Sequence, residues 1–111
     1  MPMARLRFIT NTAGDRGAVV VQNRLSRAYD LTAVKREVYH KGGHQLFMEQ
    51  DIAGDWPLAV IDAIGLAQRV GYGWALSGDI RTSLDMTTTR LRESGATFAT
   101  LLMEREEEPN Q

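Results

Sequence analysis

The sequence predicts an α+β fold: a two-layer sandwich with two helices on one face of an antiparallel sheet, a ferredoxin-like variant with an extra C-terminal strand. Three observations lead there. Gly42-Gly43 divides two β-rich runs as a hairpin turn would, two apolar stripes at helical spacing flank that hairpin, and alternating or Thr-rich segments bounded by turn formers occupy both ends of the chain. The resulting order is strand, helix, two strands, helix, then two or three strands. Helices laid side by side on one face of a sheet bury both stripes at once, which is the economical solution for that order.

Ala4 to Thr12 alternates Leu6, Phe8 and Thr10 against Arg5, Arg7 and Ile9, the period of a half-buried strand. It ends in Asn11-Thr12-Ala13-Gly14-Asp15-Arg16-Gly17, a run of turn formers. In residues 18–31, Val21, Leu25, Ala28 and Tyr29 fall at i, i+4, i+7 and i+8, so the segment reads as an amphipathic helix with Gln22, Asn23, Arg24 and Arg27 toward water. The β-branched run Val19-Val20-Val21 leaves a strand paired with the first one as the alternative.

Val34 to Tyr39 and Leu46 to Gln50 flank Gly42-Gly43, which can adopt the positive φ angles of a tight turn. Asp55 then caps a helix that opens at Pro57, buries Val60, Ile61, Ile64 and Ala67, and stops at Gly71. Beyond Gly73 the chain is β again, in Trp74 to Ile80, Leu84 to Leu91 and Thr97 to Glu104. Residues 1–104 are therefore read as one globular domain, and 105–111, mostly acidic and broken by Pro109, as a disordered tail.

At 111 residues, with 43% apolar and 24% charged side chains, the chain is long enough to bury a core without staples. It has no cysteine, which removes disulfides, thiolate metal sites and a cysteine nucleophile together. No apolar run approaches the roughly 18 residues that span a bilayer, and the expected compartment is cytoplasmic. The formal charge of −1 conceals a split. Residues 1–41 carry eight cations against three anions, and residues 42–111 carry five against eleven. Such asymmetry implies two electrostatic faces and a partner steered by one of them.

Chemistry-bearing motifs are scarce. His40 and His44 bracket Lys41-Gly42-Gly43 and can be imagined as a metal pair, but two ligands are too few, and an exposed hairpin tip is the plainer reading. Whether their rings share a face depends on whether the loop has two residues or three. Gly14 and Gly17 lack the Gly-Lys-Ser/Thr of a phosphate loop. Among Asp51, Asp55, Asp62, Asp79 and Asp85 an acid/base pair can be imagined, but Asp55 caps a helix, Asp79 sits in a turn and Asp62 faces outward with Arg69, and no serine sits in a nucleophile elbow. No catalytic residue, metal ligand or cofactor is assigned.

The function expected on these grounds is non-enzymatic: a small interaction protein, of the style of bacterial or phage inhibitors, immunity proteins or accessory factors, that docks a charged face or a sheet edge onto a protein partner. Arg16, Arg24, Arg27, Lys35, Arg36 and Lys41 are the expected partner-binding residues, and Thr87 to Arg92 the expected exposed edge. An alternative is a dimeric ferredoxin-like domain that binds or converts a small molecule with His40, His44, Tyr72 and Trp74. A second alternative is a nucleic-acid accessory protein using the same basic residues, disfavoured by the negative total charge and the absence of a recognition motif.

Overall fold

A computed structural model describes residues 2–106. Strand β1 (Met3–Thr10) buries Ala4, Leu6, Phe8 and Thr10 and turns Arg5, Arg7 and Ile9 the other way, as its alternation requires. Helix α1 (Asp15–Tyr29) buries Ala18, Val21, Leu25 and Tyr29, so the valine run forms a helix and not a strand. One stripe per turn meets the sheet, and the burial gained outweighs the weak helix preference of β-branched residues. Ala28, expected on that stripe, is exposed. The helix ends at Asp30, in the left-handed conformation at φ 55°, whose N–H donates to the Ser26 carbonyl.

β2 (Thr32–Val38) and β3 (His44–Asp51) form the expected hairpin, but Val38 pairs with His44, so the loop is residues 39–43 and neither two nor three residues long. Within it the Gly42 N–H donates to the Tyr39 carbonyl and the Tyr39 N–H to the Gly43 carbonyl. Helix α2 (Trp56–Val70) starts as its sequence dictates: the Asp55 carboxylate accepts from the Leu58 N–H at 3.3 Å, with Pro57 in the first turn. Its buried face is Trp56, Ala59, Val60, Ala63, Leu66, Ala67 and Val70. That corrects the expected stripe by part of a turn, since Ile61 is 63% exposed and Ile64 only partly buried. The helix is apolar on most sides, so periodicity alone could not choose the face.

Gly71 follows α2 with an extended backbone, not a left-handed one. Its reason is space: a Cβ there would sit 2.6 Å from the Arg90 carbonyl oxygen, because β4 (Gly71–Tyr72) pairs closely with β7 (Arg90–Leu91). β5 (Ala75–Ser77), β6 (Ser83–Thr88) and β8 (Ala96–Glu104) complete the main sheet, whose order is β2-β3-β1-β8-β6-β5 with every pairing antiparallel.

Two helices on a six-stranded antiparallel sheet make the two-layer α+β sandwich expected from the sequence. The order β2-β3-β1-β8 is compatible with a ferredoxin-like core, and β6 and β5 extend it beyond β8. The core is one cluster between the layers, built on Leu6, Phe8, Leu25, Leu46, Met48, Leu66, Met86 and Leu101. No helix among the described residues is long and apolar enough to cross a membrane. The acidic end assigned to residues 105–111 lies outside the described residues from 107 onward.

Candidate interaction surfaces

The two histidines are separated by the hairpin that carries both. His40 lies in the exposed loop with its ring 4.7 Å from that of Tyr39. His44 opens β3 on the helix-covered face and is 5% exposed, contrary to the expected solvent-exposed tip. Its Nδ1 lies 3.1 Å from the Thr12 hydroxyl, which lies 2.7 Å from the Thr10 hydroxyl, and the His44 backbone N–H donates to that same Thr10 oxygen. A buried polar group needs a partner, and this chain of three supplies one at each step. The assembly joins the end of β1, the turn before α1 and the start of β3, so it is a structural clasp. Among the described residues no group of three His, Asp or Glu side chains could hold a metal ion.

Nor are the histidines brought to Tyr72 and Trp74. The registers Leu46↔Phe8, Phe8↔Ala99 and Ala99↔Thr88 place β1 and β8 between β3, which His44 opens, and β6, so those two strands are about 14 Å apart at a strand spacing of about 4.8 Å. Tyr72 is tied through its carbonyl to Thr88 at the end of β6, and Trp74 directly precedes β5 on the far side of β6. Trp74 anchors the end of α2, its Nε1–H donating to the Ala67 carbonyl at 2.8 Å. Tyr72 is exposed beneath the Arg90 and Arg92 guanidinium groups, whose central carbons lie 5.9 and 5.4 Å from its ring centroid. Shallow depressions among the described residues include one around Ile52, Ile61, Gly65 and Arg69 and one around Met3, Arg5, Leu102 and Glu104; none of the four expected ligand-binding side chains lines either of these.

The six expected partner-binding cations do not share a surface. Arg36 is consumed internally: its Nε donates to the Asp15 carboxylate at 2.8 Å and its Nη1 to Gln22, tying the outermost strand to α1. That guanidinium holds the Asp15 carboxyl below its ordinary value, chiefly by the hydrogen bond. Lys35 lies on the opposite side of the sheet, 3.1 Å from Glu37 and 4.5 Å from the Phe47 ring centroid. Lys41 stands apart in the hairpin loop. Arg16, Arg24 and Arg27 do belong together. Arg16, Val20, Asn23 and Arg27 follow at i, i+4, i+7 and i+11 along the solvent side of α1, with Arg24 beside them. None of these three arginines has an ion pair among the described residues, and the stripe includes Val20, 44% exposed.

The exposed edge is also elsewhere than expected. Thr87 pairs with Thr100 on one side and Ala75 on the other, and Arg90-Leu91 is covered by β4. The free edges are β2, bulged at Val34, and the three-residue β5, both of the short or irregular kind that resists unwanted pairing.

One surface escaped the sequence reading altogether. The side of the sheet away from the helices carries Ile9 on β1, Phe47 on β3, and Phe98 and Leu102 on β8, with Arg5 and Arg7 between them. The Arg7 guanidinium carbon is 5.8 Å from the Phe98 ring centroid, and its Nη1 donates to Gln45 at 2.9 Å. The signal was present in Phe47 and Phe98, each at the alternate position to a core residue, but a half-exposed phenylalanine cannot be told from a core one before the strand's facing is known. Comparison with known proteins returns no matching family model, no matching curated protein and no matching solved structure, so the reading of these surfaces rests on their own geometry.

Proposed function

We propose that the protein is a non-enzymatic interaction module that docks the arginine face of α1 onto an acidic surface of a protein partner. The observation that carries this is the stripe Arg16, Val20, Arg24 and Arg27: three guanidinium groups with no ion pair among the described residues, around an exposed valine, on one side of a helix. Arginine donates two parallel hydrogen bonds to a carboxylate and loses little freedom in doing so, and a central apolar contact gives such a patch its anchor. The other exposed positions of α1 are Asn23, Ala28 and Asp15, whose carboxylate is engaged by Arg36. A protein partner is favoured over nucleic acid because the total charge is −1 and three cations on one helix make a small phosphate footprint.

The test is the double variant Arg24→Glu/Arg27→Glu. Partners captured from the native host by the wild-type chain are identified, and the association rate of each with both proteins is measured at low and high salt. Charge steering predicts at least a tenfold slower association at low salt and a much smaller difference at high salt. An unchanged low-salt rate, with circular dichroism reporting a folded protein, would remove α1 from the interface.

A further inference from the structure

Among the described residues, one whole side of the sheet has no second layer. We propose that this open face is where a second copy of the chain docks, the two sheets packing face to face in a homodimer.

The first argument is composition. Ile9, Phe47, Phe98 and Leu102 lie on the three adjacent strands β3, β1 and β8, interleaved with Arg5, Arg7 and Thr100, and Leu102 is 36% exposed. Aromatic side chains and arginine are the residues enriched in protein interfaces relative to the rest of the surface. The second is charge. Arg5, Arg7 and Lys35 share the face with Glu37, Glu49 and Asp85, while Asp51 and Glu104 stand at its rim. Arg5 sits opposite Glu49 in the strand register, yet among the described residues neither is in an ion pair, nor is Asp85. The same patch presented twice therefore offers each copy both signs of charge. A phosphate backbone laid on the aromatics would meet as many carboxylates as cations, with two more at the rim, which argues against a single-stranded nucleic acid in this place.

Size is the third argument. Six strands about 4.8 Å apart and up to eight or nine residues long give a face of about 600–700 Å², hence about 1,300 Å² buried in total, above the roughly 1,000 Å² expected of a specific interface. Twisted sheets pack face to face in aligned or orthogonal arrangements, and neither requires any change in this fold. The proposal is independent of the α1 docking surface, which lies on the other side of the molecule.

The test is sedimentation equilibrium of the full chain from about 5 to 500 μM, on the wild type and on Leu102→Asp, Thr100→Arg and Val20→Asp. The wild type is expected to show the mass of two 12.4 kDa chains at the upper concentrations. Leu102→Asp and Thr100→Arg are expected to weaken association at least tenfold, whereas Val20→Asp, on the far side of α1, leaves it unchanged. Both sheet positions are at least partly exposed, and circular dichroism checks the fold of each variant. A wild type that stays monomeric at 500 μM overturns the proposal, as does a dimer insensitive to both sheet variants. Binding of a 15-nucleotide oligothymidylate that is lost in Leu102→Asp would also overturn it, since the face would then belong to a nucleic acid.

Discussion

His44 and Thr12 meet through a single 3.1 Å contact between Nδ1 and a hydroxyl oxygen, and that contact closes the polar chain joining the end of β1 to the start of β3. Removing the ring leaves a hole beside two hydroxyls and breaks the bond to one of them. His44→Ala is expected to cost about 1–3 kcal/mol in equilibrium denaturation, while His40→Ala, in the exposed loop, changes stability by less than about 0.5 kcal/mol. Zinc titration should show no tight stoichiometric complex, because the two rings lie in different environments and no third ligand among the described residues joins them.

Gly42 and Gly43 both have positive φ, 99° and 79°, but only one of them is also short of space. A Cβ on Gly43 would overlap the Thr10 carbonyl, whereas one on Gly42 would meet nothing within 4 Å. Gly42→Ala should therefore cost only the backbone penalty of about 1–2 kcal/mol. Gly43→Ala should cost clearly more, at least about 3 kcal/mol, because backbone must move as well. Urea unfolding of the pair compares them directly, and equal losses would mean that the hairpin tip relaxes away from β1.

The orientation of α2 is tested by two residues five apart. Leu66 is 1% exposed, so Leu66→Ala should cost about 2–5 kcal/mol, through lost burial and the cavity left behind. Ile61→Ala, on the solvent side, should cost less than about 1 kcal/mol. Reversed values would turn the helix by a third of its circumference.

The clasp between Asp15 and Arg36 makes the outer strand sensitive to acid. Asp15 has a folded-state pKa below its unfolded value of 3.8, so its contribution is complete above that value and is lost as pH falls through the folded one. Hydrogen exchange at the amides of β2 should accelerate relative to those of β1 as pH is lowered below about 4. In Arg36→Gln the two strands should keep a constant ratio over that range. A ratio that changes identically in both proteins would show that some other carboxylate controls the edge.

The sequence by itself determined the class of the fold and most of its elements, because each depends on chemistry between near neighbours. Leu6 and Phe8 alternate with Arg5 and Arg7, Asp55 lies three residues before the Leu58 N–H that it caps, and two glycines turn a hairpin. Such signals survive without knowledge of what packs where. Tertiary structure decided everything that required a choice between faces. Ile61 and Leu66 are both large and apolar on a helix apolar nearly all round, and only contact with the sheet sends one to water and the other to the core. Arg36 and Lys35 are adjacent cations, yet the pleat turns one to Asp15 and the other to Phe47 on opposite sides of a layer. The burial of His44 and the open face bearing Phe47 and Phe98 follow from strand registers spanning tens of residues, and no local pattern encodes a register.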